Sequence, residues 1–129
     1  MSEPYKPDGF TRVTPFLTVA GAKNLLDFLT LVFDAEVIDR TEKPDGTLSY
    51  AALRIGDGNV ELAEANERFG PMNSAVHIYV PDVDQTHKRA IENGGVQIHE
   101  PMEMDYGERG SAIRDPQGNH WYIATYRRA

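Results

Sequence analysis

The stretch RDPQGNHWYIATY, residues 114–126, indicates how this chain folds. After its first arginine come Asp, Pro, Gln, Gly and Asn, and such a run favours a tight turn. Aromatic and β-branched residues follow over 120–126, as is typical of a strand. A related phrase, RIGDGNVELA, occupies residues 54–63, and there too Gly-Asn precedes the strand. The recurrence predicts that one hairpin occurs twice in the chain.

The segments around these two phrases repeat in the same order, with a period of roughly 60 residues. In the first half, the apolar patterns predict a strand, a helix and three strands at 12–20, 22–35, 36–43, 47–55 and 60–65. In the second half, they predict the same series at 75–80, 82–95, 96–101, 111–115 and 120–126, with a loop at 102–110. Asp82 and Gln85 have the spacing of a capping box at the start of the second helix. The chain is therefore predicted to contain two βαβββ units.

The predicted fold class is α+β, with two tandem βαβββ modules in a single domain over residues 1–129. Module 1 covers about residues 11–65, a polar linker containing Gly-Pro covers 66–74, and module 2 covers about 75–127. Each module can pack its helix on one face of its sheet and leave the other face free. If the modules pair edge to edge, the free faces form a curved cup of mixed sheet, with the helices on the outer face.

The composition excludes several classes of function. A formal net charge of −7 disfavours sequence-independent nucleic-acid binding, which needs a basic surface. The absence of cysteine removes disulfides, thiolate nucleophiles and cysteine-based zinc sites. No apolar run approaches the length of about 18 residues needed to span a membrane, and the Pro- and Gly-containing arm at 1–10 lacks a signal-peptide pattern. We therefore expect a cytoplasmic protein that binds neither nucleic acid nor membranes.

Strand alternation places a mixed set of side chains on the predicted concave faces. These are Phe16, Tyr50, Arg54, Glu61, His77, Tyr79, His120 and Tyr122. Such a wall suits a small aromatic or amphipathic molecule, although it would also suit packing against a partner subunit. Trp121 has the opposite parity and is expected in the core. Arg109, in the predicted loop, either fixes an anionic group of a ligand or forms a surface ion pair with Glu103 or Glu108.

The phrase YGER at 106–109, followed by RDPQGNHWYIATY, resembles the vicinal oxygen chelate superfamily, and within it the PhnB-like branch. The stretch DGTLSYAALRIGDGNVELAE at 45–64 resembles the first half of that branch, and the resemblance covers about residues 11–127. The superfamily includes glyoxalase I, bleomycin-resistance proteins and extradiol dioxygenases. The resemblance implies the glyoxalase/bleomycin-resistance fold and a homodimer, whereas the fold alone does not imply one activity.

Metal-using members of this superfamily place four ligands on the concave face, and the resemblance carries these positions onto this sequence. They fall on Thr14, Glu61, Ala75 and Tyr122. Only Glu61 is a good ligand for a divalent ion, because the other three supply a hydroxyl, a methyl and a phenol. The usual metal site is therefore expected to be absent, and no cofactor is expected.

A displaced divalent-metal site is the alternative. His77 shares a strand face with Ala75, and His120 shares one with Tyr122, so Glu61, His77 and His120 could converge in a narrow cup. Otherwise His77 and His120 are wall or interface residues with satisfied hydrogen bonds. His87 and His99 are expected at the surface.

Three hypotheses of function follow. The first is a metal-independent binding protein that holds a small aromatic or amphipathic molecule in the cup. The second is a lyase, isomerase or dioxygenase that uses a displaced metal or Glu61 as a general base, although Glu61 could instead form an ion pair with Arg54. The third is an interaction module whose cup is filled by its own dimer partner.

Overall fold

The computed structural model of the chain describes residues 5–127 and contains the same series of elements twice. Module 1 comprises β1 (Phe16–Val19), α1 (Ala22–Phe33), β2 (Glu36–Glu42), β3 (Leu48–Ile55) and β4 (Gly58–Glu64). Module 2 comprises β5 (Ala75–Tyr79), α2 (Val83–Glu92), β6 (Val96–Met104), β7 (Glu108–Arg114) and β8 (His120–Tyr126). The prediction of two tandem βαβββ modules is confirmed. Residues 1–4 of the predicted N-terminal arm lie outside the described residues, as do residues 128 and 129.

Each module forms its own four-stranded sheet, in the order β1-β4-β3-β2 and β5-β8-β7-β6. In each sheet the first strand runs parallel to the last, and the other pairs are antiparallel. Phe16 lies opposite Glu61, and His77 lies opposite Tyr122. The two modules therefore correspond residue by residue, with Phe16 matching His77 and Glu61 matching Tyr122.

The two sheets are not joined through β1 and β5 within the described part of one chain. Instead, the modules meet through their helices and the sheet faces that carry them. The ring of Phe33 in α1 lies 4.9 Å, centroid to centroid, from the ring of Trp121 in β8. One apolar cluster contains buried residues of both modules, and Trp121 lies within it, as predicted. The wide apolar stripe of α1 explains this arrangement, because packing it against module 2 removes more apolar surface from water than its own sheet alone would.

The turn before β8 is fixed by a buried carboxylate. Asp115 accepts hydrogen bonds from the indole N–H of Trp121 at 2.8 Å and from the backbone N–H groups of Gln117 and Asn119 at 2.9 and 3.0 Å. Gly118 has a positive φ of 97°, which favours glycine at this position of the turn. The sequence DPQGN thus connects β7 to β8 and orients the tryptophan toward the core.

The recurring Gly-Asn has a structural role in both modules. The side-chain oxygen of Asn59 accepts from the backbone N–H of Thr11 at 2.8 Å, and that of Asn119 accepts from Ser74 at 3.0 Å. Each asparagine therefore binds the segment that precedes the first strand of its module. Asn59 does so from β4, and Asn119 does so from the turn before β8.

The two helices begin with different caps. Asp82 accepts from the backbone N–H of Gln85 at 3.2 Å, so the predicted N-cap of α2 is confirmed. The N-cap of α1 is Gly21, which has no side chain to cap with. Instead, Glu64 of β4 accepts from the N–H groups of Gly21 and Ala22 at 3.0 and 2.8 Å. A carboxylate at this end also interacts favourably with the helix dipole.

Two predicted boundaries are wrong. β1 begins at Phe16 rather than at residue 12, directly after Pro15, which has no N–H for the ladder. The segment 102–110 is not a loop, since β6 extends to Met104 and β7 begins at Glu108. The acidic and basic residues of MEMDYGERG obscure the strand alternation, and most of the side chains at this end of the hairpin are at least partly exposed.

The expectation that His87 lies at the surface is also wrong. His87 is buried under α2, with its Nδ1 2.9 Å from Ser111 Oγ and its Nε2 2.8 Å from Gln97 Oε1. Because an amide oxygen can only accept, Nε2 carries the hydrogen and Nδ1 accepts from the Ser111 hydroxyl. A histidine on the inner face of a helix is tolerated here because both ring nitrogens are satisfied. His99 is half-buried on β6.

Candidate functional site

The concave face of module 1 carries a carboxylate that is hydrogen-bonded to a phenol. Glu61 lies in β4 and Tyr50 in β3, and the Tyr50 hydroxyl donates to Glu61 Oε2 at 2.6 Å. Burial, together with the hydrogen bond and charge of Glu61, raises the pKa of Tyr50 to about 12. No other hydrogen bond to this carboxylate comes from residues 5–127, so Oε1 can accept from a ligand.

This pair lies in a cavity of about 600 Å³. The walls are formed by Asp39, by the Tyr50–Glu61 pair and by residues of the arm between 5 and 14. The arm therefore contributes aromatic groups, Tyr5 and Phe10, and basic groups, Lys6 and Arg12, opposite a polar pair on the sheet. The volume is in the range of small-molecule sites in proteins.

Hydrogen bonds to Asn59 and from Arg54 hold the arm over module 1. Thr11 donates its backbone N–H to Asn59 Oδ1, as described above, and Arg54 Nη2 donates to the carbonyl oxygen of Gly9 at 3.4 Å. The side chain of Arg54 is thus directed to the arm, and no ion pair joins it to Glu61 among the described residues. Sequence reasoning did not identify the arm as part of the site, because a Pro- and Gly-containing segment has no periodicity from which its course could be predicted.

The concave face of module 2 is more open. Tyr79 and Tyr122 are 64% and 41% exposed, and His77 lies beside Tyr79 with ring centroids 4.7 Å apart. His120 contacts Tyr122 edge-on, with ring centroids 6.4 Å apart. These four predicted residues therefore share one face, while Phe16, which is 53% exposed, lies in the sheet of module 1.

Sequence reasoning missed one acidic residue as a member of this face. Glu108, which was considered only as a surface partner for Arg109, is 8% exposed, and its Oε2 lies 3.6 Å from His77 Nε2. Glu108 lies two residues before Gly110, which pairs with Ala124 on the concave side. The parity of β7 could have identified it, but the prediction of a loop at 102–110 removed that signal.

Arg109 lies on the opposite side of β7. Its Nε and Nη2 both donate to the carboxylate of Asp84 in α2 at 2.8 Å, and its Nη1 donates to Glu103 at 3.1 Å. These hydrogen bonds lower the pKa of Asp84 and raise that of Arg109. The structure thus places Arg109 in the ion pair with Glu103 that was one of its two predicted roles, and away from the concave faces.

The four positions that correspond to metal ligands do not fit a divalent ion. Of Thr14, Glu61, Ala75 and Tyr122, only Glu61 offers a strong donor, and its Oε2 already accepts from Tyr50. Within residues 5–127, no group of three or more His, Asp or Glu side chains is arranged to hold a metal. Glu61, His77 and His120 are therefore not brought together as the displaced site would require.

A second cavity of about 410 Å³ lies between β5 and the hairpin that connects β3 to β4. Its walls are mostly apolar and include Ile55, Val76 and Ile78. It follows the free edge of β5 and shares His77 and Tyr79 with the concave face of module 2.

Comparison with known proteins agrees with this architecture. The family model for the Glyoxalase/Bleomycin resistance protein/Dioxygenase superfamily matches residues 10–123. The uncharacterized protein Rv0887c from Mycobacterium tuberculosis is 31% identical over 122 residues, covering 86% of this chain and 72% of that protein. The crystal structure of TioX from Micromonospora sp. ML1 superposes with a TM-score of 0.78 at 23% identity, covering 90% and 98% of the two chains.

A PhnB protein from Bacillus cereus shares the fold as well, with a TM-score of 0.69 at 16% identity over 89% of this chain and 99% of that one. At these identities the structural matches concern the fold. None of the helices between residues 5 and 127 has the length and apolar character to cross a membrane.

Proposed function

We propose that this chain, which belongs to the Glyoxalase/Bleomycin resistance protein/Dioxygenase superfamily, binds a small aromatic or amphipathic molecule without using a metal. The observation that carries the proposal is the cavity over module 1, which has the Tyr50–Glu61 pair on its wall and the arm residues around it. A ligand in this cavity would be bound between the aromatic and basic side chains of the arm and a hydrogen-bonding pair on the sheet.

The hydrogen bonding of the Tyr50–Glu61 pair defines which polar group the ligand must carry. The Tyr50 hydrogen is already donated to Glu61, and Glu61 Oε1 accepts no hydrogen bond from the described residues. The pair therefore presents an acceptor, and the ligand should carry an O–H or N–H group on a planar apolar frame. Hydrogen bonds to an ionised carboxylate are stronger than neutral ones, so this contact should orient the ligand.

The four metal-ligand positions support a metal-independent mode of binding. Because three of them are occupied by Thr14, Ala75 and Tyr122, the donor set that coordinates an ion in metal-using relatives is incomplete. Binding of the ligand should then be unaffected by exhaustive treatment with a chelator.

The proposal can be tested with 2-naphthol, a neutral, planar and fluorescent hydroxyl donor. We expect saturable binding at one site, weakened about tenfold by Glu61→Gln, because a neutral amide is a poorer acceptor than a carboxylate. The control is Glu67→Gln, which removes the same charge from the exposed linker. Equal affinity of the two variants, or no saturable binding to the wild-type protein, would contradict the proposal.

We further propose that the partner of this chain is a second copy of itself. β1 and β5 are edge strands, and the mostly apolar second cavity follows the free edge of β5. Unpaired strand edges beside apolar surface favour association. Light scattering at micromolar concentration should give twice the chain mass of 14.4 kDa, and a mass of one chain would refute the proposal.

A further inference from the structure

Glu108 is a buried carboxylate without a hydrogen bond among the described residues. It is 8% exposed, and within residues 5–127 its side chain forms one ion pair, in which Oε2 lies 3.6 Å from His77 Nε2, beyond hydrogen-bonding distance. Burial of an ionised carboxylate is costly unless hydrogen bonds or an opposite charge compensate it. Among the described residues, the imidazole of His77 is the one group placed to balance this carboxylate, and the Glu108 oxygens are not sealed from solvent, so a ligand can reach them.

The fold does not require an acid at this position. In the matching register, Tyr50 lies opposite Ala63 and Gly110 lies opposite Ala124. Two residues earlier on the same strands, module 1 has Leu48, which is buried, and module 2 has Glu108. Because the same strand position is filled by a leucine in module 1, the carboxylate of Glu108 is better explained by a ligand than by folding.

Three tyrosines share the face of Glu108. Tyr79, Tyr122 and Tyr126 are 64%, 41% and 66% exposed, and all three have the parity of the concave side. Between them lie Gly110, Ala112 and Ala124, whose short side chains leave space above the sheet between the rings. Aromatic rings attract cations to their faces, and they do so more strongly when a carboxylate is also present and water is excluded.

We propose that the concave face of module 2 is a binding site for an organic cation, such as a quaternary or substituted ammonium group. Glu108 is the counter-ion, the tyrosine rings contact the substituents on the nitrogen, and His77 packs beside Tyr79 at the margin of the site. The inference rests on the proposed small-molecule function, since it specifies that one group of such a ligand carries a positive charge. It uses different residues, in the other module.

The test compares choline with 3,3-dimethyl-1-butanol, which has nearly the same shape and no charge. Binding of each to the full-length protein is followed by chemical-shift changes of the tyrosine ring resonances. We expect choline to bind at least about tenfold more tightly, because the cation gains both the carboxylate and the ring faces. Equal affinities, or no change of any tyrosine resonance with choline, would overturn the proposal.

Variants identify the carboxylate responsible. Glu108→Gln should abolish most of the difference between the two probes and leave the affinity for the neutral alcohol unchanged. Glu108→Leu, which copies Leu48 of module 1, should do the same and provides a second variant if the glutamine is poorly tolerated. Glu92→Gln is the matched control, since it removes the same charge from the exposed end of α2.

If Glu92→Gln weakens choline as much as Glu108→Gln does, the preference reflects the overall negative charge of −7, and the site is refuted. The outcome is separable from that of 2-naphthol, which is neutral and is tested through Glu61. Failure of 2-naphthol with retained, Glu108-dependent choline binding would refute the module 1 site alone. The converse result would refute the cation site alone.

Discussion

Modules 1 and 2 have the same strand order and the same register, but they are stabilised differently under their helices. At the positions where module 1 has Leu26 in α1 and Ala51 in β3, module 2 has His87 and Ser111. The first pair is apolar, and the second is joined by a buried hydrogen bond. Module 2 thus accommodates a polar contact beneath its helix in which both ring nitrogens of His87 have partners.

The turns before β4 and β8 also differ in whether they contain a buried, hydrogen-bonded polar group. Asp115 of module 2 is buried and binds the turn and Trp121, whereas Asp57 in the turn of module 1 is exposed and accepts no hydrogen bond among the described residues. Module 2 thus depends on polar groups that must be satisfied, and module 1 depends mainly on apolar packing. The following substitutions test that difference.

The largest effect is expected at the two turn aspartates. Asp115→Ala should lower the free energy of unfolding by about 3 kcal/mol, because it leaves the Trp121 indole and the amide groups of Asn119 buried without an acceptor. The matched change Asp57→Ala should cost less than about 0.5 kcal/mol, as at other exposed positions. Urea denaturation of both variants measures the contrast, and comparable losses would show that the two turns do not differ.

The second prediction converts the polar pair of module 2 into the apolar pair of module 1. His87→Leu alone should destabilise the protein by about 2 kcal/mol, since the Ser111 hydroxyl is left buried without a partner. The double variant His87→Leu/Ser111→Ala should recover most of this loss, because removing both partners of a buried hydrogen bond can be nearly neutral. If the double variant were as unstable as the single one, the hydrogen bond would not account for the effect of the histidine.

A smaller effect is expected at the helix caps. Glu64→Ala should cost about 1.5 kcal/mol, because two N–H groups at the start of α1 lose their acceptor. Asp82→Ala removes one bond from an exposed cap of α2 and should cost about 0.5 to 1 kcal/mol. Thermal unfolding of the two variants ranks the caps, and a greater loss for Asp82→Ala would reverse the expected order.

The smallest effect concerns the titration of Tyr50. Its folded pKa of about 12 exceeds the usual value of 10, because burial and then the hydrogen bond and charge of Glu61 favour the protonated phenol. The stability linked to this shift is fully present below pH 10 and is lost as pH rises through about 12. Ultraviolet titration should show one tyrosine that ionises near pH 12, absent from Tyr50→Phe. In Glu61→Gln its pKa should fall part of the way toward 10, because burial remains, and an unchanged titration in that variant would exclude Glu61 as a contributor.

The sequence predicted the fold because its signals are local and repeated. The Gly-Asn turns, the apolar stripe of α1 and the Asp82 cap each occupy a few consecutive residues, and the structure contains all three. Where the outer residues are charged, as at 102–110, no alternation marks the strand, and the prediction failed. The buried environment of His87 was unpredictable for another reason, since it depends on Ser111 and Gln97, which lie on two other strands.

The candidate site was predictable only in part. Strand parity placed Tyr50, Glu61, His77 and Tyr79 on concave faces, because side chains alternate regularly along β3, β4 and β5. It did not pair Tyr50 with Glu61, for which Arg54 was the partner considered. Parity says nothing about what covers a face, so the arm over module 1 was missed. The outward direction of Arg109 also depended on where β7 begins, and that boundary was wrong.

The parallel pairing of β1 with β4 also has a consequence for folding kinetics. Paired residues of the first and last strands are 45 positions apart in the sequence, at 16 and 61 in β1–β4 and at 77 and 122 in the equivalent pair β5–β8. The hairpins β3–β4 and β7–β8 close loops of only a few residues, so they can form in microseconds, whereas contacts so distant in sequence slow folding. β1 and β5 should therefore be the last strands to join their sheets. Until they do, one edge of β4 and of β8 remains open, and slow refolding at high protein concentration would favour its capture by another chain.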